Sequence, residues 1–404
     1  MTIKKLFGKL HLLLGLTSGL IVFIVSLTGC LIVFEEEVGE IFEYGVHKKV
    51  QKQDVAFAPP SKILSVADTA LKGKAIKTVY YTIFLKENRV NVLWARDTAR
   101  QYHAVLQNPY TGDVAGSYNY KTSFFTIMTF IHTSLALGDI GSIIIRYTTL
   151  IFVIMMITGL VLWKPASKKG YKQRFTIKWN AKGKRLNYDL HNVLGFYMSW
   201  IAIFIALTGL VWSFEWFKDG VSWIANGGNN IKIEKKEYLS IPPTKFATAN
   251  KDSIFKNMDI AFAAALNNTH NAARAITITK PASDSATITL DIETEKGSNY
   301  ARADRYHYDQ YTGKLLGINS FSSLSNADKL NRMNYSIHVG KIGGLTGKIL
   351  AFFASLIAAS LPITGFIIWR GRRRKSNHQN KENKNEILNN YFATKQINKQ
   401  SPHS

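Results

Sequence analysis

Apolar residues dominate two stretches that share one spacing. One is His191 to Trp212, HNVLGFYMSWIAIFIALTGLVW; the other is His11 to Phe34, HLLLGLTSGLIVFIVSLTGCLIVF. Each meets the roughly 20 apolar residues that a helix needs to cross hydrocarbon. In both, the histidine is followed by Gly at +4 (Gly15, Gly195) and by Thr-Gly at +17 (Thr28-Gly29, Thr208-Gly209). A second pair of apolar stretches repeats as well. His132 precedes Thr158-Gly159 by 26 residues in a segment ending GLVLW, and His338 precedes Thr364-Gly365 by 26 in a segment ending GFIIW. The pattern predicts four spanning helices in two copies of one unit, with four histidines at matched positions.

Residues 1–10 read as a short basic leader and 11–34 as the first span. Leu27-Thr28-Gly29-Cys30 resembles a lipoprotein cleavage box, but the apolar run exceeds a signal-peptide core. Leu-Thr-Gly also recurs at Leu207-Thr208-Gly209, so it belongs to the repeat. Residues 35–121 form a first α+β lobe. Its helix opens at Pro59-Pro60-Ser61 and carries Ile63, Leu64, Val66, Ala67 and Leu71. Strand-like runs follow at 78–85, 90–95 and 101–106. Residues 122–141 are an amphipathic helix with His132, which Gly138-Asp139-Ile140-Gly141 is expected to break. The second span is 142–163, a basic loop fills 164–187, and the third span is 188–216. A second lobe occupies 217–337, with a helix over 254–266 and strands over 275–279 and 286–292. It ends in Tyr311-Thr312-Gly313, which mirrors Tyr110-Thr111-Gly112. The fourth span with its entry is 338–369, where Pro362 is tolerable because neighbouring helices satisfy the freed carbonyl. Residues 370–404 are expected to be a disordered tail. The fold class is an α-helical membrane protein with two external α+β lobes, its four-helix transmembrane bundle built as a tandem duplication.

Charge changes the picture in one respect. The net charge is +24 over 404 residues, which could suit nucleic acid, but the excess sits beside the apolar stretches. The leader carries Lys4, Lys5 and Lys9. The 164–187 loop carries nine Lys/Arg and no acid, and the tail nine Lys/Arg with two acids. That is the positive-inside pattern of a chain in a lipid bilayer, and no nucleic-acid partner is expected. Glu35, Glu36, Glu37, Glu40 and Glu43 follow the first span and mark the opposite face. Both termini are therefore expected in the cytoplasm and both lobes outside. One cysteine excludes a disulfide within the chain, and the absence of C-x-x-C-H excludes covalent c-type haem attachment. Gly347-Lys348 does not complete a P-loop, because Ile342 and Ile349 stand where Gly and Ser/Thr belong.

Topology sorts the histidines by depth. His11 and His191 lie at the cytoplasmic ends of the first and third spans, and His132 and His338 at the outer entries of the second and fourth. Seventeen helical residues rise about 26 Å. Gly29 and Gly209 thus fall at the outer level and Gly159 and Gly365 at the inner. A single histidine at a helix entry is an ordinary interfacial cap, and glycines in spans serve close helix packing. Four histidines in register across a repeat point instead to two bis-imidazole b-type haem sites, with the glycines letting a flat ring approach the helices. Two imidazoles without a nearby Cys or paired carboxylates do not make a four-ligand zinc site. Arg146 reads either as an interfacial cation or as a haem-propionate partner. His47, His103, His270 and His307 have no repeat counterpart and read as ordinary lobe residues.

The spans with Thr-Gly-Leu-Val-Leu-Trp and the lobes ending in Tyr-Thr-Gly-x-x-x-Gly resemble the PepSY-associated transmembrane helix family over roughly residues 5–375. The resemblance implies one PepSY-like periplasmic lobe per half, a multi-pass place in the bacterial inner membrane, and His11, His132, His191 and His338 as ligands of two non-covalent b haems. It implies a ferric-siderophore or ferric-chelate reductase-like oxidoreductase. With no flavin or nicotinamide motif in the chain, the electron donor is a quinol or a separate reductase. The rival expectation is a non-enzymatic membrane-anchored PepSY module that binds or inhibits periplasmic proteins. Reporter fusions after Lys172 are expected to read cytoplasmic and fusions within 60–110 external. Mass spectrometry of the purified protein should retain residues 1–29.

Overall fold

The computed structural model describes residues 2–70, 77–86, 88–97, 101–165, 171–231, 236–243, 251–269, 272–294 and 302–399. Leu71, His270 and His403 lie outside these. The chain divides into two compact units. One comprises Met1–Leu27, Tyr147–Ile203 and Ala354–Ser404; the other comprises Thr28–Arg146 and Phe204–Phe353.

The first half of the chain runs α1 (Ile3–Val33), α2 (Glu35–Phe42), α3 (Pro60–Ala70), β1 (Lys77–Phe84), β2 (Asn91–Arg96), β3 (Tyr102–Gln107), β4 (Val114–Asn119), α4 (Phe124–Ser134) and α5 (Gly138–Trp163). A short α6 (Lys172–Phe175) and α7 (Gly183–Asp189) follow. One π-helical turn, Leu190–Leu194, then leads into α8 (Gly195–Ser213). The remainder runs α9 (Glu215–Ala225), α10 (Lys251–Asn268), β5 (Ala275–Thr279), β6 (Ile288–Glu293), β7 (Ala303–Tyr308), β8 (Leu315–Asn319), α11 (Asn326–His338) and α12 (Gly344–Lys399). Among the described residues four helical stretches are long and apolar enough to cross a membrane: Ile3–Val33, Gly138–Trp163, Gly183–Ser213 and Lys341–Arg374. The chain is a multi-pass membrane protein.

Three boundaries differ from the sequence reading. α1 starts at Ile3 rather than at His11, because Lys4, Lys5 and Lys9 are good helix formers and extend the span by two turns. Gly138 (φ +60°) opens α5, so Gly141 lies in the first turn of that helix instead of breaking the chain. The tail expected to be disordered continues α12 as helix to Lys399. No Gly or Pro follows Gly371 in that stretch, and its Lys, Glu, Gln and Leu favour helix.

In the second unit the strands of both halves form one eight-stranded sheet, ordered β4-β3-β2-β1-β5-β6-β7-β8. Every neighbouring pair is antiparallel. The two lobes meet at the centre, where Tyr81 pairs with Ile278 and Ile83 with Ile276. Alternation places Tyr81, Ile83, Leu93, Val105, Ile276, Ile278, Ile288, Leu290 and Ile292 on one buried face. Ile63, Leu64 and Ala67 of α3 and Met258, Ala261, Phe262 and Ala265 of α10 cover that face. The two Tyr-Thr-Gly turns share one geometry. Asn108 Oδ1 accepts from the amides of Tyr110 and Thr111, and Asp309 Oδ1 from those of Tyr311 and Thr312. Gly112 (φ +80°) and Gly313 (φ +70°) close them in the left-handed region. Each turn feeds a strand that periodicity did not reveal. β4 (VAGSYN) and β8 (LLGIN) have no buried-polar alternation to announce them.

Candidate functional site

Each histidine of the repeat meets the threonine of a Thr-Gly pair. His11 Nδ1 lies 3.0 Å from Thr158 Oγ1 and His191 Nδ1 lies 2.9 Å from Thr364 Oγ1. His132 Nδ1 lies 3.2 Å from Thr28 Oγ1 and His338 Nδ1 lies 2.8 Å from Thr208 Oγ1. All four bonds stay within one half of the chain. The ring-to-ring approaches cross between halves. The His11 and His191 centroids are 6.5 Å apart at 85°, and those of His132 and His338 are 6.0 Å apart at 75°. The first pair lies in the first unit and the second pair in the second unit.

The threonine sets the tautomer. Thr158 donates its single hydroxyl proton to Met155 O, Thr364 to Ser360 O or Leu361 O, and Thr208 to Ile205 O. The oxygen can then only accept from the imidazole, so Nδ1 carries the ring proton. For His338 the assignment has a second support, since Nδ1 also lies 3.0 Å from the Ile205 carbonyl, which cannot donate. In His11, His191 and His338 the lone pair therefore resides on Nε2. A neutral imidazole held through Nδ1 is the usual arrangement of a metal-ligating histidine.

The spacing of the rings fits one metal per pair. A metal about 2 Å from each ring nitrogen puts the two centroids about 6 Å apart, as in both pairs. Among the described residues there is no group of three or more His, Cys, Asp and Glu side chains that could hold a metal ion. Each pair thus offers two imidazoles, too few for a metal held by protein side chains alone. His11 and His191 line a cavity of about 1090 Å³ in the first unit, at the upper end of ordinary ligand cavities. Gly159 and Gly365 form its close walls. A Cβ at Gly159 would stand 3.3 Å from His11 Cε1, and one at Gly365 3.2 Å from His191 Cε1. Arg174, Arg372 and Arg373 line the same cavity, and among the described residues no Asp or Glu does. Its chemistry matches a large apolar ligand with anionic groups.

Other expectations shift. The partner of each imidazole is chiefly the threonine, with the glycine beside it giving the ring room. Gly29 and Gly209 adjoin Thr28 and Thr208 and are half-buried. Arg146 is exposed on α5, and among the described residues no contact joins it to His132 or His338; the cations at a histidine pair are those of the cavity. The remaining described lobe histidines have ordinary partners. His103 pairs with Asp97 and His307 with Thr287 and Asn319. His47 faces Arg89, and burial followed by that charge holds its pKa down to about 4.

Two features escaped the sequence reading. His191 sits inside the π-helical turn, an interruption that recurs at functional sites. Gly141 and Gly347 each stand nine residues after a histidine. A Cβ at Gly141 would fall on the Ser134 carbonyl, and one at Gly347 on the Gly340 carbonyl, in both cases two residues past the histidine. These glycines let the end of α4 and the Gly340 turn after α11 rest against the next helix. The +9 spacing in both copies was the available signal.

The family model for the PepSY-associated TM region matches residues 9–372, and the chain belongs to that family. No curated protein matches the chain. Gly141→Val and Gly347→Val should each destabilise the protein by about 2 kcal/mol through overpacking, read as a lowered Tm in detergent. Gly220→Ala, where a Cβ meets open space, should leave Tm unchanged or slightly raised.

Proposed function

We propose that this member of the PepSY-associated TM family is a dihaem b-type electron-transfer protein of the bacterial inner membrane. It passes electrons across the membrane to an external ferric chelate such as a siderophore. The observation that carries the reading is the likeness of the two sites. Both join two Nδ1-held imidazoles from opposite halves, with centroids 6.5 and 6.0 Å apart. The matched spacings and the symmetric strand order favour a tandem duplication with one PepSY-like lobe per half. The distribution of Lys and Arg favours both termini in the cytoplasm and the lobes in the periplasm.

A bound haem supplies a reversible one-electron iron couple at each histidine pair. His11 with His191 would hold the inner iron, and His132 with His338 the outer. Thr158, Thr364, Thr28 and Thr208 hold the four rings through Nδ1, which would leave Nε2 as the nitrogen that binds a metal. Gly159 and Gly365 let the imidazoles of His11 and His191 lie close against the neighbouring helices. Arg174, Arg372 and Arg373 would neutralise its propionates. One electron converts Fe³⁺ in a hard-oxygen chelate to Fe²⁺, which hard ligands hold less tightly, so the metal is released. A quinol or a separate reductase supplies that electron from outside the chain.

Purified membranes should show a Soret and α-band signal in reduced-minus-oxidised spectra. His11→Ala and His191→Ala should each remove one low-spin haem and spare the other, and His132→Ala and His338→Ala should do the converse. All four should abolish reduction of an external ferric chelate, whereas His307→Ala should leave both haems in place. Full haem occupancy in the four ligand variants, or colourless wild-type protein, would leave the membrane-anchored binding module as the better account.

A further inference from the structure

Two asparagines repeat a contact that the histidines alone do not explain. Asn187 Nδ2 donates to the Thr364 carbonyl over 3.0 Å, and Asn334 Nδ2 donates to the Thr208 carbonyl over 3.0 Å. Thr364 and Thr208 are the residues whose hydroxyls receive His191 and His338. Each asparagine stands four residues before the histidine that its threonine orients. One helical turn therefore presents an imidazole and an amide on the same face, and both reach the same threonine of a neighbouring helix, one at its hydroxyl and one at its carbonyl. Asn334 is buried at 3% exposure. A buried amide in a membrane bundle costs free energy unless its hydrogen bonds are made, so it holds its helix in register with the threonine. The positions four before His11 and His132 are Phe7 and Met128, neither of which carries an amide.

We propose that Asn187 and Asn334 are positioning residues that lock one imidazole of each histidine pair. The asparagine fixes the threonine helix against the histidine helix, the threonine fixes Nδ1, and Nε2 is thereby aimed. His191 and His338 are the anchored ligands. His11 and His132 come from the other half, where the residues four positions earlier, Phe7 and Met128, are apolar. The inference rests on the dihaem reading and adds to it a division of labour within each pair.

The test is carbon monoxide binding to the dithionite-reduced full-length protein, with low-temperature EPR of the oxidised form. A six-coordinate bis-imidazole iron excludes carbon monoxide until a ligand lets go. Asn187→Leu should raise the carbon-monoxide-reactive fraction of the His11/His191 haem about fivefold, the size of one ordinary hydrogen bond, and shift its EPR signal alone. Asn334→Leu should do the same at the His132/His338 haem. Thr364→Val should reproduce Asn187→Leu, and the double variant should fall short of the product of the two, because both act on His191 through the same threonine. If a leucine variant does not accumulate in membranes, the alanine variant takes its place. Unchanged carbon monoxide reactivity, or effects that multiply independently with Thr364→Val, would overturn the clamp while leaving the haems. A wild-type protein with no Soret band would instead defeat the reading on which the clamp rests.

Discussion

The hydrogen bond between an imidazole Nδ1 and a threonine hydroxyl organises both histidine sites. It joins two helices of one half, and it decides which ring nitrogen remains available. Inside a membrane bundle neither partner can fall back on water, so a broken bond leaves buried polar groups without partners. The threonine is suited to the role because its own helix already accepts its proton, as at Met155, Ser360, Leu361 and Ile205. A serine could make the same bonds with a freer χ1. The β-branched side chain holds the oxygen where the ring needs it.

Charge near the spans follows a similar economy of contacts. The acidic residues after α1 read in the sequence as a marker of one membrane face. In the structure Glu36 lies 2.8 Å from Lys341 and 3.2 Å from Lys348, and Glu37 lies 2.7 Å from Lys348. Lys348 is only 5% exposed, so removing both carboxylates would strand a buried cation. These ion pairs attach α2 to the first turn of α12, just after the turn that carries Gly340. The run that the sequence offered as a marker of one face thus attaches α2 beside a histidine helix, a contact its composition did not indicate.

Much of this was legible because spacing survives where local composition is ambiguous. The His-to-Thr-Gly intervals identified all four histidines and both of their groupings. They also pointed to the glycines as the facing residues, since a small residue explains close approach more readily than a hydroxyl does. Only the geometry separates Thr158, which bonds His11, from Gly159, which gives the ring space. Asn187 and Asn334 were hidden for another reason: an asparagine near a helix start is ordinarily a cap or a turn residue, and its partner lies 177 or 126 residues away. Strands β4 and β8 were missed because their exposed, Gly-containing sequences lack a period-2 pattern. The single sheet could not be inferred from two lobes that each read as self-sufficient, since pairing between β1 and β5 depends on a contact no local pattern encodes.

That central pairing bears on how such a chain can be divided or assembled. Cut between the halves, either piece would present β1 or β5 as a long, bare, apolar edge, the kind of surface that recruits another strand. The seam is antiparallel and contributed by the first strand of each lobe, so a twofold axis would let two copies of one half close it as well as the two halves do. An isolated half is therefore expected to be a dimer or an aggregate rather than a monomer. Held in one chain, the two halves need not be alike, and at matched positions they differ, as Phe7 and Asn187 do.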